Sequence, residues 1–245
     1  MKIFISCFEC VKNNHQDIYG YDYLEIHSNK IYTLTCNRGH TSEVYVQEEP
    51  FEILFDMGIL ALLDGYYREA VSNFAASLER FHEFCVKVML DHNRTSHDEF
   101  SKTWKYFASS SERQLGAFYI SYLNTFGKAP ENINEFKIDG RTLSHFRNRV
   151  IHNGDFPKHQ NVLEYARKIY DYMISILKEM EREFDDAIRR VISTGDTRKG
   201  EMMSSNLTIS SCISLNDIGF GVFGERTFDD TLKDFKERKD LIFKK

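Results

Sequence analysis

The chain has 245 residues, 42% of them hydrophobic and 28% charged, and a net charge of −5. That is enough apolar material for a packed core without disulfides, and the wrong sign of charge for a protein that coats nucleic acid indiscriminately. Any nucleic-acid contact must therefore come from a local patch, and no stretch approaches the roughly 18 apolar residues of a membrane helix.

Residues 1–49 read as a β-rich module. Lys2-Ile3-Phe4-Ile5 and Tyr32-Thr33-Leu34-Thr35 are short strand-like runs that end at cysteines, and Val44-Tyr45-Val46 continues the β-branched and aromatic theme. The cysteines fall as Cys7-x2-Cys10 and then Cys36-x3-His40, with 25 residues between the two sites, enough for a hairpin. Two ligands two residues apart can share one tight knuckle, and four such ligands suit a tetrahedral metal. Gly39 lets the second knuckle turn. A module of about fifty residues with little core also needs a staple. The spacing resembles a zinc ribbon, with structural Zn2+ held by Cys7, Cys10, Cys36 and His40. The histidine departs from the all-cysteine version, so His15 and His27 stay open as alternatives. The five cysteines are odd in number and residues 1–7 turn polar too soon for a secretory leader, which points to a reducing, cytoplasmic compartment.

After Pro50 the period changes. Phe51, Leu54, Phe55, Ile59 and Leu62 recur at helical spacing, Asp64-Gly65 interrupts them, and a second run continues through Val71, Phe74, Leu78, Phe81, Cys85 and Met89. The two form a helical hairpin. Residues 93–112 are polar and hold the only tryptophan, Trp104; helicity resumes near Glu112, and 127–140 reads as a loop. A helix over 143–152 ends at Asn153-Gly154. The longest periodic run covers Val162 through Ile169, Met173, Leu177, Phe184 and Ile188. Residues 193–206 read as a linker, 207–215 as a strand and 228–243 as a short charged helix. The fold class is therefore α+β: an N-terminal β-module (1–49), a mainly helical domain (50–192) and a linker with a C-terminal extension (193–245).

The helix over 143–152 carries Arg147-Asn148-Arg149-Val150-Ile151-His152. Arginine can hold a phosphodiester through parallel hydrogen bonds, and histidine can move protons near neutral pH. RNA cleavage without a metal needs that pair of functions. Five residues along a helix rotate through about 140°, so Arg147 and His152 do not share one narrow face, whereas Asn148 and His152 do. The negative end of the helix dipole favours a charged imidazole at position 152. Arg149 and Lys158 are candidate substrate-binding cations. Glu79, on the second arm of the hairpin, is either a helper of this site or a solvated or ion-paired helix carboxylate.

At Arg147, Asn148 and His152 the chain resembles the HEPN superfamily of helical domains, whose motif is Arg, a polar residue often Asn, three or more residues, then His. The resemblance extends over residues 51–191. It implies a helical bundle that forms a homodimer with two motifs at a composite cleft, and endoribonuclease activity that needs no metal and leaves a 2′,3′-cyclic phosphate. The roles it implies are a toxin or antiviral defence effector acting on RNA, with a possible protein partner for the zinc module. Other members only bind, so the alternative expectation is a non-catalytic dimerisation, RNA-binding or protein-binding module with the ribbon as adaptor.

Overall fold

The structure, a computed structural model, describes residues 2–7, 9–10, 21–25, 31–46, 48–194, 206–207, 211–215 and 226–243. It is mainly helical, with small sheets near the N-terminus and a two-stranded one at residues 137–142. Strand β1 (Lys2–Ser6) pairs antiparallel with β2 (Tyr21–Glu25), from Lys2↔Glu25 to Ser6↔Tyr21. Strand β3 (Ile31–Thr35) pairs antiparallel with β4 (Thr41–Val46), from Ile31↔Tyr45 to Thr35↔Thr41. Along β3 burial alternates, with Tyr32 and Leu34 inward, as a half-buried strand requires.

Helix α1 (Pro50–Leu63) starts with proline in its first turn and a capping box, Glu49 N–H donating to Glu52 Oε2 at 2.7 Å. It is apolar nearly all round because it lies between two cores. Phe51, Phe55, Ile59 and Leu62 belong to the helical core. Ile53 and Met57 instead join Tyr32, Leu34, Val46 and the three ribbon cysteines. Helix α2 (Tyr67–His92) packs on α1, burying Val71, Phe74, Phe81, Cys85 and Met89, the apolar stripe of the sequence. At the α1–α2 crossing an added Cβ on Gly58 would sit 2.5 Å from the ring of Phe74. Gly58→Ala gains about 1 kcal/mol of helix propensity. Overpacking a closed core costs about 1–3 kcal/mol, so the clash wins. Gly58→Ala is expected to lower the urea midpoint; an unchanged or raised midpoint would show that the two helices can separate freely.

Helix α3 (His97–Trp104) lies inside the stretch 93–112, read as polar with helicity resuming only near Glu112. It is short but well marked: Ser96 Oγ accepts from Glu99 N–H at 3.3 Å, and Phe100 and Trp104, four apart, bury one face. Helix α4 (Ser111–Phe126) is capped by Ser110 and buries Gln114, Phe118 and Tyr122. The expected loop over 127–140 contains a 3₁₀ turn (Ile133–Glu135) with Ile133 buried. A hairpin of β5 (Lys137–Ile138) and β6 (Arg141–Thr142) follows, closed by the Asp139-Gly140 turn. Helix α5 (Leu143–His152) is capped by Thr142 Oγ1 and ends where Asn153 and Asp155 both donate to Arg149 O. Helix α6 (His159–Thr194) is the longest element and breaks its helical geometry at Phe184, whose ring packs on His92 at 4.4 Å and on Phe126 at 5.1 Å.

The strand expected over 207–215 is not formed at that length. Among the described residues of that segment, Leu207 pairs as the end of β7 (Asn206–Leu207), parallel to β4, and 211–215 form no strand. Over 211–215 the backbone finds side chains instead of a strand: Cys212 N–H donates to Asp56 Oδ1 and Leu215 N–H to Glu52 Oε1, both at 2.9 Å and buried. Helix α7 (Phe228–Phe243) returns onto α6. Phe228 and Thr231 are buried there, and Asp229 accepts both ends of the Arg167 guanidinium at 2.6 and 2.7 Å. The linker expected over 193–206 lies mostly outside the described residues. Among the described residues no helix is long and apolar enough to cross a membrane.

Candidate functional site

Two groups of side chains carry chemistry. The first is the cysteine–histidine cluster. Cys7 follows β1, Cys36 follows β3 and His40 precedes β4. The second knuckle is closed by Gly39 N–H to Cys36 O at 2.8 Å and Cys36 N–H to His40 O at 3.0 Å, with Gly39 at φ +84°, a conformation open mainly to glycine. Cys10 Sγ then lies 3.2 Å from His40 Nδ1 and 3.9 Å from Cys36 Sγ. Cys36 Sγ and Cys7 Sγ lie 3.7 and 3.9 Å from the same nitrogen. A tetrahedron with metal–ligand bonds of ~2.0–2.3 Å has edges of roughly 3.3–3.8 Å, so these separations fit a single ion at the centre. All four donor atoms fall within 4.8 Å of one another, and the three cysteines are free thiols rather than disulfides. Burial pushes Cys7 up to about 11. At Cys36 burial acts the same way but is outweighed by the backbone N–H groups of Arg38 and His40 and by the neighbouring thiols, which bring it to about 7. The cluster is closed, with three buried thiols and a half-buried imidazole, as in metal sites that hold a fold together. His40 is the histidine at the cluster; His15 and His27 lie outside the described residues.

The second group surrounds the Arg147 motif. Arg147 Nη2 donates to Glu79 Oε1 at 2.7 Å, and Nη1 donates to Asn148 Oδ1 at 2.9 Å. Two acceptors on two edges fix the plane of the guanidinium. Phe146 packs beside it on Tyr165 at 5.3 Å, and the Tyr165 hydroxyl is buried, which raises its pKa. Arg147, Asn148, His152 and Glu79 line a cleft of about 410 Å³. Although about 140° of helix rotation separates Arg147 from His152, all three motif residues line this cleft.

The rest of the wall is one that motif reading did not find: the segment 108–111, with Glu112 and Gln114 of α4. Its only signal in the sequence is the run Ser109-Ser110-Ser111, which reads equally well as a helix cap. Ser110 Oγ does accept from Arg113 N–H, and the Ser110 and Ser111 hydroxyls reach Glu112 Oε2. The Glu112 N–H at the helix start, those hydroxyls and Arg147 hold the Glu112 carboxyl below the usual carboxylate range. Buried Gln114 ties the wall down, donating to Ala108 O at 2.6 Å and accepting from Arg80 at 2.9 Å.

The two candidate substrate cations lie outside the cleft lining. Arg149 is ion-paired with Asp155. Lys158 is exposed, and its carbonyl receives the first amides of α6. Part of the basic excess around the motif is also spent internally, Arg167 on Asp229 and Lys168 on Glu164. A second hollow of about 400 Å³ lies at the Phe184 break, where acids alternate with arginines and Arg190 pairs with Asp91. Its lining also holds a histidine, His92, among the carboxylates of Glu183, Asp185 and Asp186. No protein-family model, no curated protein and no solved structure matches the chain.

Proposed function

We propose that the protein is an endoribonuclease that works without a catalytic metal, as a homodimer, with Arg147, Asn148 and His152 as its reactive group. The observation that supports this reading is the meeting of a fixed guanidinium and an exposed imidazole in one polar cleft. Arg147 binds the scissile phosphate and offsets the charge that builds on its oxygens. Asn148 orients the guanidinium. The substrate 2′-oxygen closes on phosphorus, its proton passes to solvent, and the bond to the 5′-oxygen breaks. His152 gives a proton to that leaving oxygen, so the products are a 2′,3′-cyclic phosphate and a 5′-hydroxyl. The cysteine–histidine cluster holds structural zinc, and the module around it serves as an adaptor for RNA or a protein partner.

Glu79 favours a second reading, a binding module without chemistry, because its carboxylate already occupies one edge of Arg147. One experiment separates the two. Wild type is expected to cut RNA in excess EDTA, and His152→Ala to lose roughly 10²–10⁴-fold of the rate. Cleavage that survives His152→Ala, or no cleavage by wild type, would remove the nuclease reading.

A further inference from the structure

Two aromatic rings near in the chain to residues that line the Arg147 cleft are turned to solvent: Tyr106 is 79% and Phe156 89% exposed. Scattered exposed hydrophobics are ordinary, so exposure by itself decides nothing. Place and company set these two apart. Tyr106 precedes the cleft-lining Ala108 by two residues, and Phe156 follows the cleft-lining His152 by four, just past the end of α5. At ~3.8 Å per residue their Cα atoms lie within ~8 and ~15 Å of those lining positions. Both sit on anchored backbone. Tyr106 N–H donates to Thr103 O at 3.1 Å, and Asp155, just before Phe156, donates to Arg149 O and pairs with the Arg149 side chain. Each ring also has an exposed lysine beside it, Lys105 next to Tyr106 and Lys158 two residues after Phe156. Among the described residues neither lysine takes part in an ion pair.

The charge of the cleft supplies the second half of the reasoning. Arg147 is opposed by Glu79 and Glu112 in the same lining, so attraction for a phosphate backbone is weak there and something else must supply affinity. Aromatic faces do so for nucleic acid, but only for bases that are not already stacked and paired. Resting on the reading of the cleft as a phosphodiester site, we propose that Tyr106 and Phe156 are stacking platforms for unpaired bases on either side of the scissile phosphate. Lys105 and Lys158 take the flanking phosphates, and the ligand is single-stranded rather than duplex RNA.

The test uses wild-type protein and a fluorescent 2′-O-methyl RNA strand, which cannot be cut through its 2′-oxygen, with the same strand in duplex as comparison. Anisotropy is expected to show at least 10-fold preference for the single strand. Tyr106→Ser and Phe156→Ser are each expected to weaken binding about 10-fold, and Phe156→Trp to retain it. Equal affinity for duplex, no binding by wild type, or serine variants that bind like wild type would overturn the proposal. So would a Phe156→Ser variant whose only change is in sedimentation, since the ring would then be a contact between copies. Ring-dependent binding without cleavage of ordinary RNA would leave this proposal standing and remove the nuclease reading. Cleavage that ignores both rings would do the reverse.

Discussion

Cys10→Ser, or removal of the metal with a strong chelator, is expected to unfold the N-terminal β-module while the helical bundle stays folded. The two parts have separate cores. Among the described residues, the module buries Tyr32, Leu34 and Val46 beside its cysteines, completed by Ile53 and Met57 from α1. A module of about fifty residues rarely supplies enough core by itself to order several strands against chain entropy. Zinc bound by three thiolates and an imidazole contributes on the order of 10 kcal/mol or more to a small domain of this kind. Losing one ligand therefore takes away more than the few side chains can replace. The bundle does not depend on the ion: Trp104, the only tryptophan, stacks on Phe100 at 5.3 Å within the other core. The expected result is one zinc per chain in wild type by elemental analysis. In Cys10→Ser, β3 and β4 should lose amide protection while tryptophan fluorescence and its melting curve hold. Metal-free wild-type protein with protected β3 and β4 amides would sink the metal site.

Acid should weaken the bundle through His82. This histidine is 3% exposed, lies on the ring of Phe118 at 4.7 Å, and hydrogen-bonds through Nε2 to the Tyr172 hydroxyl at 3.1 Å. Burial disfavours the charged imidazolium and lowers its pKa from 6.5 to about 3. The unfolded chain takes up a proton below pH 6.5 that the native chain refuses until about pH 3. Stability is thus fully present above pH 6.5 and drains away as pH falls through that window. At 1.36 kcal/mol per unit the loss approaches 2 kcal/mol at pH 5 and is on the order of 4–5 kcal/mol near pH 3. Glu52 works in the opposite sense. Its burial, with Glu48 and Glu49 nearby, raises its carboxyl, so its contribution is present below about pH 4.5 and is lost as pH rises. Comparison with His82→Gln isolates the histidine, since glutamine can still meet the Tyr172 hydroxyl. Urea unfolding followed by Trp104 should show the variant less stable at pH 7 but flatter between pH 7 and 5. Equal slopes in the two proteins would mean that His82 takes up its proton in the folded state.

Much of the fold is written in short-range pattern. The steps of three and four from Val71 to Met89 became α2, and Asn153-Gly154 ended α5. The spacing of Cys7, Cys10, Cys36 and His40 was enough to pick out a set of ligands that the folded chain brings together. Helix α3 escaped because eight residues hold too few repeats for a period to stand out, although its Ser96–Glu99 cap was legible.

Spacing along the chain determines which face of a helix is apolar and which ligands share a knuckle, because helix geometry and turn geometry repeat within a few residues. It does not determine which faces meet. The Glu79 carboxylate that fixes Arg147 comes from 68 residues away, and the serine wall of the cleft from another helix altogether. The amides of Cys212 and Leu215 find Asp56 and Glu52 across 156 and 163 residues, which is why a segment with strand-like alternation pairs so little. Such pairings follow from how α1, α2, α5 and α6 pack, and packing is settled by the fit of whole surfaces rather than by any local run of sequence.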